Sequence, residues 1–199
     1  MNLENKIKNA IEIIKKYTQG KNFYLGHSGG KDSAVILDLV KKAGFSDLTL
    51  IHNVKPLYET SPNGLTDTHI DTLKYLYENV ITDEKVLEVI FVEGRNADKQ
   101  IEIIEKYNFE LQIDGTRRYE NSRDNKSSTF IWNRKEVNRS ELPEYVAMGL
   151  FGLSFCYPIY DWADEEVFEY IVKNNIKISK EYDNDDLYLE AKNKFKENK

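Results

Sequence analysis

The 199-residue sequence predicts an α/β fold: a parallel sheet with helices on both faces and a small helical extension at its C-terminal end. Three observations carry this. Short apolar, β-branched segments alternate with segments of helical periodicity, a glycine-bearing turn joins the first strand to its following helix, and each connection is long enough to return the chain for parallel pairing.

The elements follow in order. Leu3, Ile7, Ile11 and Ile14 recur at helical spacing among Lys and Glu, which predicts an amphipathic helix ending near Gly20. A buried strand over 22–26, the run Ser28-Gly29-Gly30 and an apolar helix over 32–42 come next. Strands are predicted over 48–53, 86–92 and 109–113, and helices over 65–77, with Ile70, Leu73, Leu76 and Tyr77 on one face, and over 98–107. One further helix is expected over 164–172, followed by a mixed-charge tail over 173–199 that reads as solvated. With 40% hydrophobic residues the chain fills one sizeable core, so it is read as a single nucleotide-binding domain over 1–199, its core at 20–172.

Charge and cysteine usage narrow the chemistry. The 28 Lys and Arg against 34 Asp and Glu give a net charge of −6, so any bound anion must be held by a local cluster. No stretch reaches the length of a membrane span, and the N-terminal residues lack a secretory pattern, so the expected location is the cytoplasm, with no membrane partner. A lone Cys156 and three histidines supply neither a zinc nor an iron–sulfur site.

Beyond residue 113 the character changes. Residues 114–139 carry seven basic and four acidic side chains, immediately past the carboxyl end of a predicted strand, where open parallel sheets bind ligands. Arg117, Arg118, Arg123, Lys126, Arg134, Lys135 and Arg139 read either as a solvated loop or, with Tyr119, Phe130 and Trp132 between them, as a nucleic-acid surface. The net charge disfavours nucleic acid.

The strongest local signal is His27-Ser28-Gly29-Gly30-Lys31-Asp32-Ser33, between a strand and a helix start. Paired glycines allow close backbone approach, a helix N-terminus offers N–H donors and partial positive charge, and Lys31 adds a full charge, which together suit phosphate or pyrophosphate. Asp32 stands where a Walker loop needs Ser or Thr. The plainer alternative is a glycine turn with an exposed Lys and an Asp near the helix start.

This run resembles the pyrophosphate-binding loop (PP-loop) of the adenine nucleotide alpha hydrolase superfamily, the N-type ATP pyrophosphatases. Asp114-Gly115-Thr116-Arg117-Arg118-Tyr119-Glu120-Asn121-Ser122-Arg123 is similar to the Gly-x-Arg-x-x-Glu-Ser segment of the phosphoadenosine phosphosulfate (PAPS) reductase group, where arginines meet phosphate or sulfate. Tyr157-Pro158-Ile159-Tyr160-Asp161-Trp162-Ala163-Asp164-Glu165-Glu166-Val167 is similar to that group's Pro-Ile/Leu-x-Asp-Trp-Thr segment, with Ala163 in place of Thr. In order and together, the matches span 24–171 and imply a Rossmann-like fold of the PAPS reductase-like family. The reductases of this group carry a cysteine near the C-terminal end; residues 184–199 hold none, and Cys156 precedes the third motif, which disfavours a reductase using its own thiol.

The resemblance implies an enzyme that binds ATP with Mg²⁺, cleaves it between the α and β phosphates, and transfers AMP to an unknown acceptor. The alternatives are a sulfonucleotide reductase or sulfurtransferase using a partner protein's thiol, and a non-catalytic nucleotide-binding regulatory subunit. Lys31 and the N–H groups of Gly29 and Gly30 would hold the pyrophosphate, with the Ser28 and Ser33 hydroxyls beside them. Asp32 would fix the loop or touch Mg²⁺, Arg117 and Arg118 would brace phosphate oxygens, and Asn53 and Gly115 would line the nucleotide. Asp161 and Trp162 read equally as ligands or as a helix cap and core filler, and His27 and His52 as hydrogen-bonded bystanders. The sequence is compatible with a homo-oligomer.

Overall fold

A computed structural model describes residues 2–54, 67–93, 97–117, 129–132, 135–138, 146–148 and 153–197. The first helix, α1 (Leu3–Thr18), starts where the Asn2 side chain accepts from the Asn5 amide and stops where Thr18 turns its hydroxyl back onto the Ile14 carbonyl. Its inward face centres on Ala10, Ile13 and Ile14, while Leu3, Ile7 and Ile11 flank it half-buried.

The strands β1 (Phe23–Gly26), β2 (Leu48–Val54), β3 (Val86–Glu93) and β4 (Leu111–Ile113) alternate with α2 (Lys31–Lys42), α3 (Asp67–Tyr75) and α4 (Ala97–Tyr107). They join β7 (Val146–Met148) and β8 (Ser154–Cys156) in one sheet of order β3-β2-β1-β4-β8-β7. All neighbours pair in parallel except β7, an antiparallel edge on β8. A separate hairpin, β5 (Thr129–Trp132) with β6 (Lys135–Asn138), lies within the basic stretch whose plainer reading from the sequence is a solvated loop.

Alternate strand residues face opposite cores. Leu25, Leu50, Leu111 and Ile113 pack with α1, α2 and α5 (Asp164–Lys173), whereas Tyr24, Ile51, Val92 and Phe109 pack beneath Ile103 and Ile104 of α4. Both faces are therefore covered, as the pattern predicts. Seven of the residues of α2, from Ser33 to Val40, are buried, which explains why its sequence is apolar nearly all round.

Two expectations need correction. The helix over 65–77 does not bury Ile70 and Tyr77: α3 passes into a π-helical turn, Leu76–Val80, and the inward side chains are Tyr75, Leu76 and Val80. Nor is the tail simply solvated. A 3₁₀ turn, Lys180–Tyr182, and α6 (Asp186–Glu197) fold back, with Ala191 buried and Phe168 of α5 against Tyr182 and Tyr188. Among the described residues no helix is long and apolar enough to cross a membrane.

Candidate functional site

The strand order reverses direction at β1: the chain runs outward through β2 and β3, then returns to the other side of β1 as β4. The loops leaving β1 and β4 consequently diverge, and between them opens a cleft of about 520 Å³. Its walls are Gly26, His27, Ser28, Asp32 and Ser33 from the β1–α2 turn, Ile51 and Asn53 from β2, and Gln112, Asp114, Gly115 and Thr116 from β4 onward.

The β1–α2 turn is fixed by glycine in two ways. Gly29 adopts φ +86°, and a Cβ there would stand 2.3 Å from Thr72 Cγ2. Gly115 crosses α2 so closely that a Cβ would meet the Asp32 backbone carbon and Cβ at 2.8 Å. Side chains then take up the loop's amides. The Ser28 amide donates to Ser33 Oγ (3.0 Å), Gly29 to His27 Nδ1 (3.2 Å), Gly30 to Ser28 Oγ (3.2 Å) and Lys31 to Tyr182 Oη (3.4 Å). Three of these four acceptors are neutral hydroxyls, which an anionic phosphate oxygen outcompetes.

Beside the loop stands a quartet of charges. Asp32 pairs through Oδ2 with Lys31 Nζ (3.1 Å) and through Oδ1 with Arg117 Nε (3.0 Å). Asp164, at the start of α5, takes Lys31 at 3.1 Å and Arg117 Nη2 at 3.0 Å. Burial alone would lower the Lys31 pKa and raise that of Asp164, but their partners outweigh it, leaving Lys31 above and Asp164 below the usual range. Asp32 is the member shared by quartet and cleft; Lys31 and Arg117 are not among the cleft's described wall residues. Each carboxylate oxygen of Asp32 is paired with a cation, Oδ2 with Lys31 and Oδ1 with Arg117. Among the described residues no three His, Cys, Asp or Glu side chains converge on one point.

At the β4 end, Asp114 accepts from the Thr116 amide and from Gln112 Nε2, both at 2.9 Å, and Gln112 Oε1 in turn accepts from Tyr24 Oη at 2.5 Å. Asn53, exposed at the end of β2, accepts from Gln100 Nε2 at 3.0 Å.

Residues 22–185 match the model of the phosphoadenosine phosphosulfate reductase domain family. The chain belongs to that family. No curated protein matches it in sequence. Among solved structures, this PAPS reductase-family chain is similar to the phosphoadenylyl-sulfate reductase of Candida auris in its phosphate complex (TM-score 0.58, 15% identity, 91% of this chain and 89% of that one). It is also similar to the FMN adenylyltransferase of Candida glabrata in complex with ATP (TM-score 0.60, 12% identity, 90% of this chain). A yeast FAD synthetase in complex with FAD gives a TM-score of 0.57 at 16% identity over 92% of this chain and 64% of that one. The chain spans 58% of the length of the FMN adenylyltransferase. These likenesses establish the fold, a Rossmann-like α/β sheet.

The other expected residues of this PAPS reductase-family chain fall as follows. Trp162 is buried against Tyr170 in the core. Asp161 does not cap α5: Ala163 occupies that position, the Glu166 carboxylate accepts its amide at 2.8 Å, and Asp161 offers its main-chain oxygen to Lys6. His27 and His52 are buried, with His52 Nδ1 2.7 Å from the His27 carbonyl, and burial drives the His27 pKa down to about 3. Since His27 Nδ1 accepts from Gly29, its proton sits on Nε2, and the ring acts as a strut of the loop. Cys156 is fully buried in β8, and burial with the nearby Asp114 pushes its thiol pKa far up. Arg118, Arg123, Lys126, Arg134 and Arg139 lie outside the described residues. Asp164 and Tyr182 are not singled out in the sequence: Asp164 opens the helix predicted over 164–172, and Tyr182 lies within the mixed-charge tail, where an aromatic is a signal of docking.

Proposed function

We propose that this chain binds ATP in the cleft, cleaves it between the α and β phosphates, and transfers AMP to an acceptor with release of pyrophosphate. The observation that carries the reading is the Ser28–Ser33 turn, whose replaceable hydroxyl–amide contacts open on the cleft at the sheet's reversal point. The β and γ phosphates take the place of the Ser28 and Ser33 hydroxyls at the start of α2, and the adenosine lies toward Ile51 and Asn53. Lys31 and Arg117, preset by two carboxylates, supply the balancing charge as the leaving pyrophosphate develops its own. In-line displacement of this kind depends on positioning and charge more than on a dedicated acid–base pair. Incubation with α-labelled ATP and Mg²⁺, with and without cell extract, tests the reading: AMP or an AMP adduct is expected, and intact ATP despite saturable binding would sink it.

A second reading, a sulfonucleotide reductase fed by a partner's thiol, is favoured by the family match. Sulfite release from PAPS that depends on added thioredoxin supports it. The buried Cys156 leaves such a reaction no thiol of its own among the described residues.

A further inference from the structure

Tyr182 reaches the phosphate loop from the opposite end of the chain. Its ring is set by Phe168, with centroids 6.0 Å apart, and by the Lys31 ammonium 5.7 Å from the ring centre. The hydroxyl is the part that meets the loop: it accepts from the Lys31 amide at 3.4 Å and lies 3.1 Å from where a Cβ on Gly30 would stand. Among the described residues no acceptor takes its own proton. Burial foremost, with Glu181, holds the phenol's pKa above its usual value against the opposing pull of Lys31, so the hydroxyl stays a neutral donor.

We infer that Tyr182 is a further phosphate-binding residue, its O–H donating to a phosphate oxygen seated at the start of α2 beside the Gly30 and Lys31 amides. The inference rests on the nucleotide reading above and extends its site to the C-terminal segment. A phosphate oxygen at that point gains the Lys31 amide, which the hydroxyl yields, and the hydroxyl's proton, which has no taker among the described residues. The opposite role, a plug that merely occupies the Lys31 amide, predicts the opposite sign on removal of the oxygen.

The test is calorimetric titration of the full chain and of Tyr182→Phe with inorganic pyrophosphate, ATP and adenosine. The ring packing survives in Tyr182→Phe, so the expected result is pyrophosphate and ATP binding weakened about tenfold with adenosine binding unchanged. Binding equal to or tighter than that of the native chain overturns the inference, as does an equal loss for adenosine, which marks a purely structural effect. A native chain that binds neither pyrophosphate nor ATP overturns the nucleotide reading itself. Native binding with an unaffected Tyr182→Phe overturns only the role of Tyr182.

Discussion

Lys31 and Arg117 meet on a single oxygen, Oδ1 of Asp164, at 3.1 and 3.0 Å. Arg117 is buried and joins α5 to α2 through Asp32, so Arg117→Ala leaves two carboxylates facing one ammonium. The expected loss of stability is about 2 kcal/mol, reduced from the fully buried case because the Asp164 side chain is 46% exposed. Arg117→Lys restores only part of it, since one ammonium lacks the fork that reaches both acids. Asp164→Asn costs under about 1 kcal/mol. Urea denaturation ranks the three, and a larger cost for Asp164→Asn than for Arg117→Ala contradicts the assignment of Arg117 as the anchor.

Gly29 and Gly44 both hold positive φ, +86° and +98°, but a Cβ on Gly44 meets nothing within 4 Å, whereas one on Gly29 runs into Thr72. Gly44→Ala is expected to cost about 1–2 kcal/mol from backbone strain alone. Gly29→Ala carries the same strain plus the collision, about 3 kcal/mol or more. Adding Thr72→Ser, which removes the colliding methyl, recovers the difference. Equal melting temperatures for the two alanine variants would refute the packing argument.

His27 gives stability a defined dependence on pH. The unfolded imidazole takes up a proton near pH 6.5, while the folded ring, buried beside His52, refuses it until about pH 3. The contribution is thus complete above pH 6.5 and is lost as pH falls through that window, at up to about 1.4 kcal/mol per pH unit. His27→Asn keeps an acceptor for the Gly29 amide without titrating there. Its unfolding free energy between pH 7 and 5 is expected to fall less steeply than the native chain's; parallel slopes count against the burial of a neutral His27.

Cys156 is expected to resist alkylation in the folded protein and to react only on denaturation, because its thiolate is disfavoured and inaccessible. Cys156→Ala should lower stability by about 1 kcal/mol and leave nucleotide turnover unchanged. Loss of turnover in a folded Cys156→Ala protein would return the thiol to the chemistry.

Much of this architecture is legible in the sequence because its causes are local. The runs around Leu25, Leu50 and Val89 are short, apolar and bounded by turns, and the Ser28–Ser33 motif carries its own donors. β8 escapes notice because Ser154-Phe155-Cys156 becomes a strand only through pairing with β4, a non-local event inside a longer apolar stretch. α6 is mostly polar and draws its stability from the contact of Tyr188 with Phe168. The charge quartet joins three segments distant in sequence, so spacing alone gives no sign that Asp164 belongs beside Lys31.

The reversal of strand order at β1 makes the cleft a product of connectivity. No point substitution removes it; side chains decide only how much of it stays open. Gly26 and Gly115 are where that decision is sharpest, since a Cβ on Gly26 would press to 2.6 Å of Gln112 Nε2 and one on Gly115 to 2.8 Å of the Asp32 main chain. The two hydrogens at these positions set the distance between the β1–α2 segment and the β4 end of the cleft, and so act as the gauge of the whole opening.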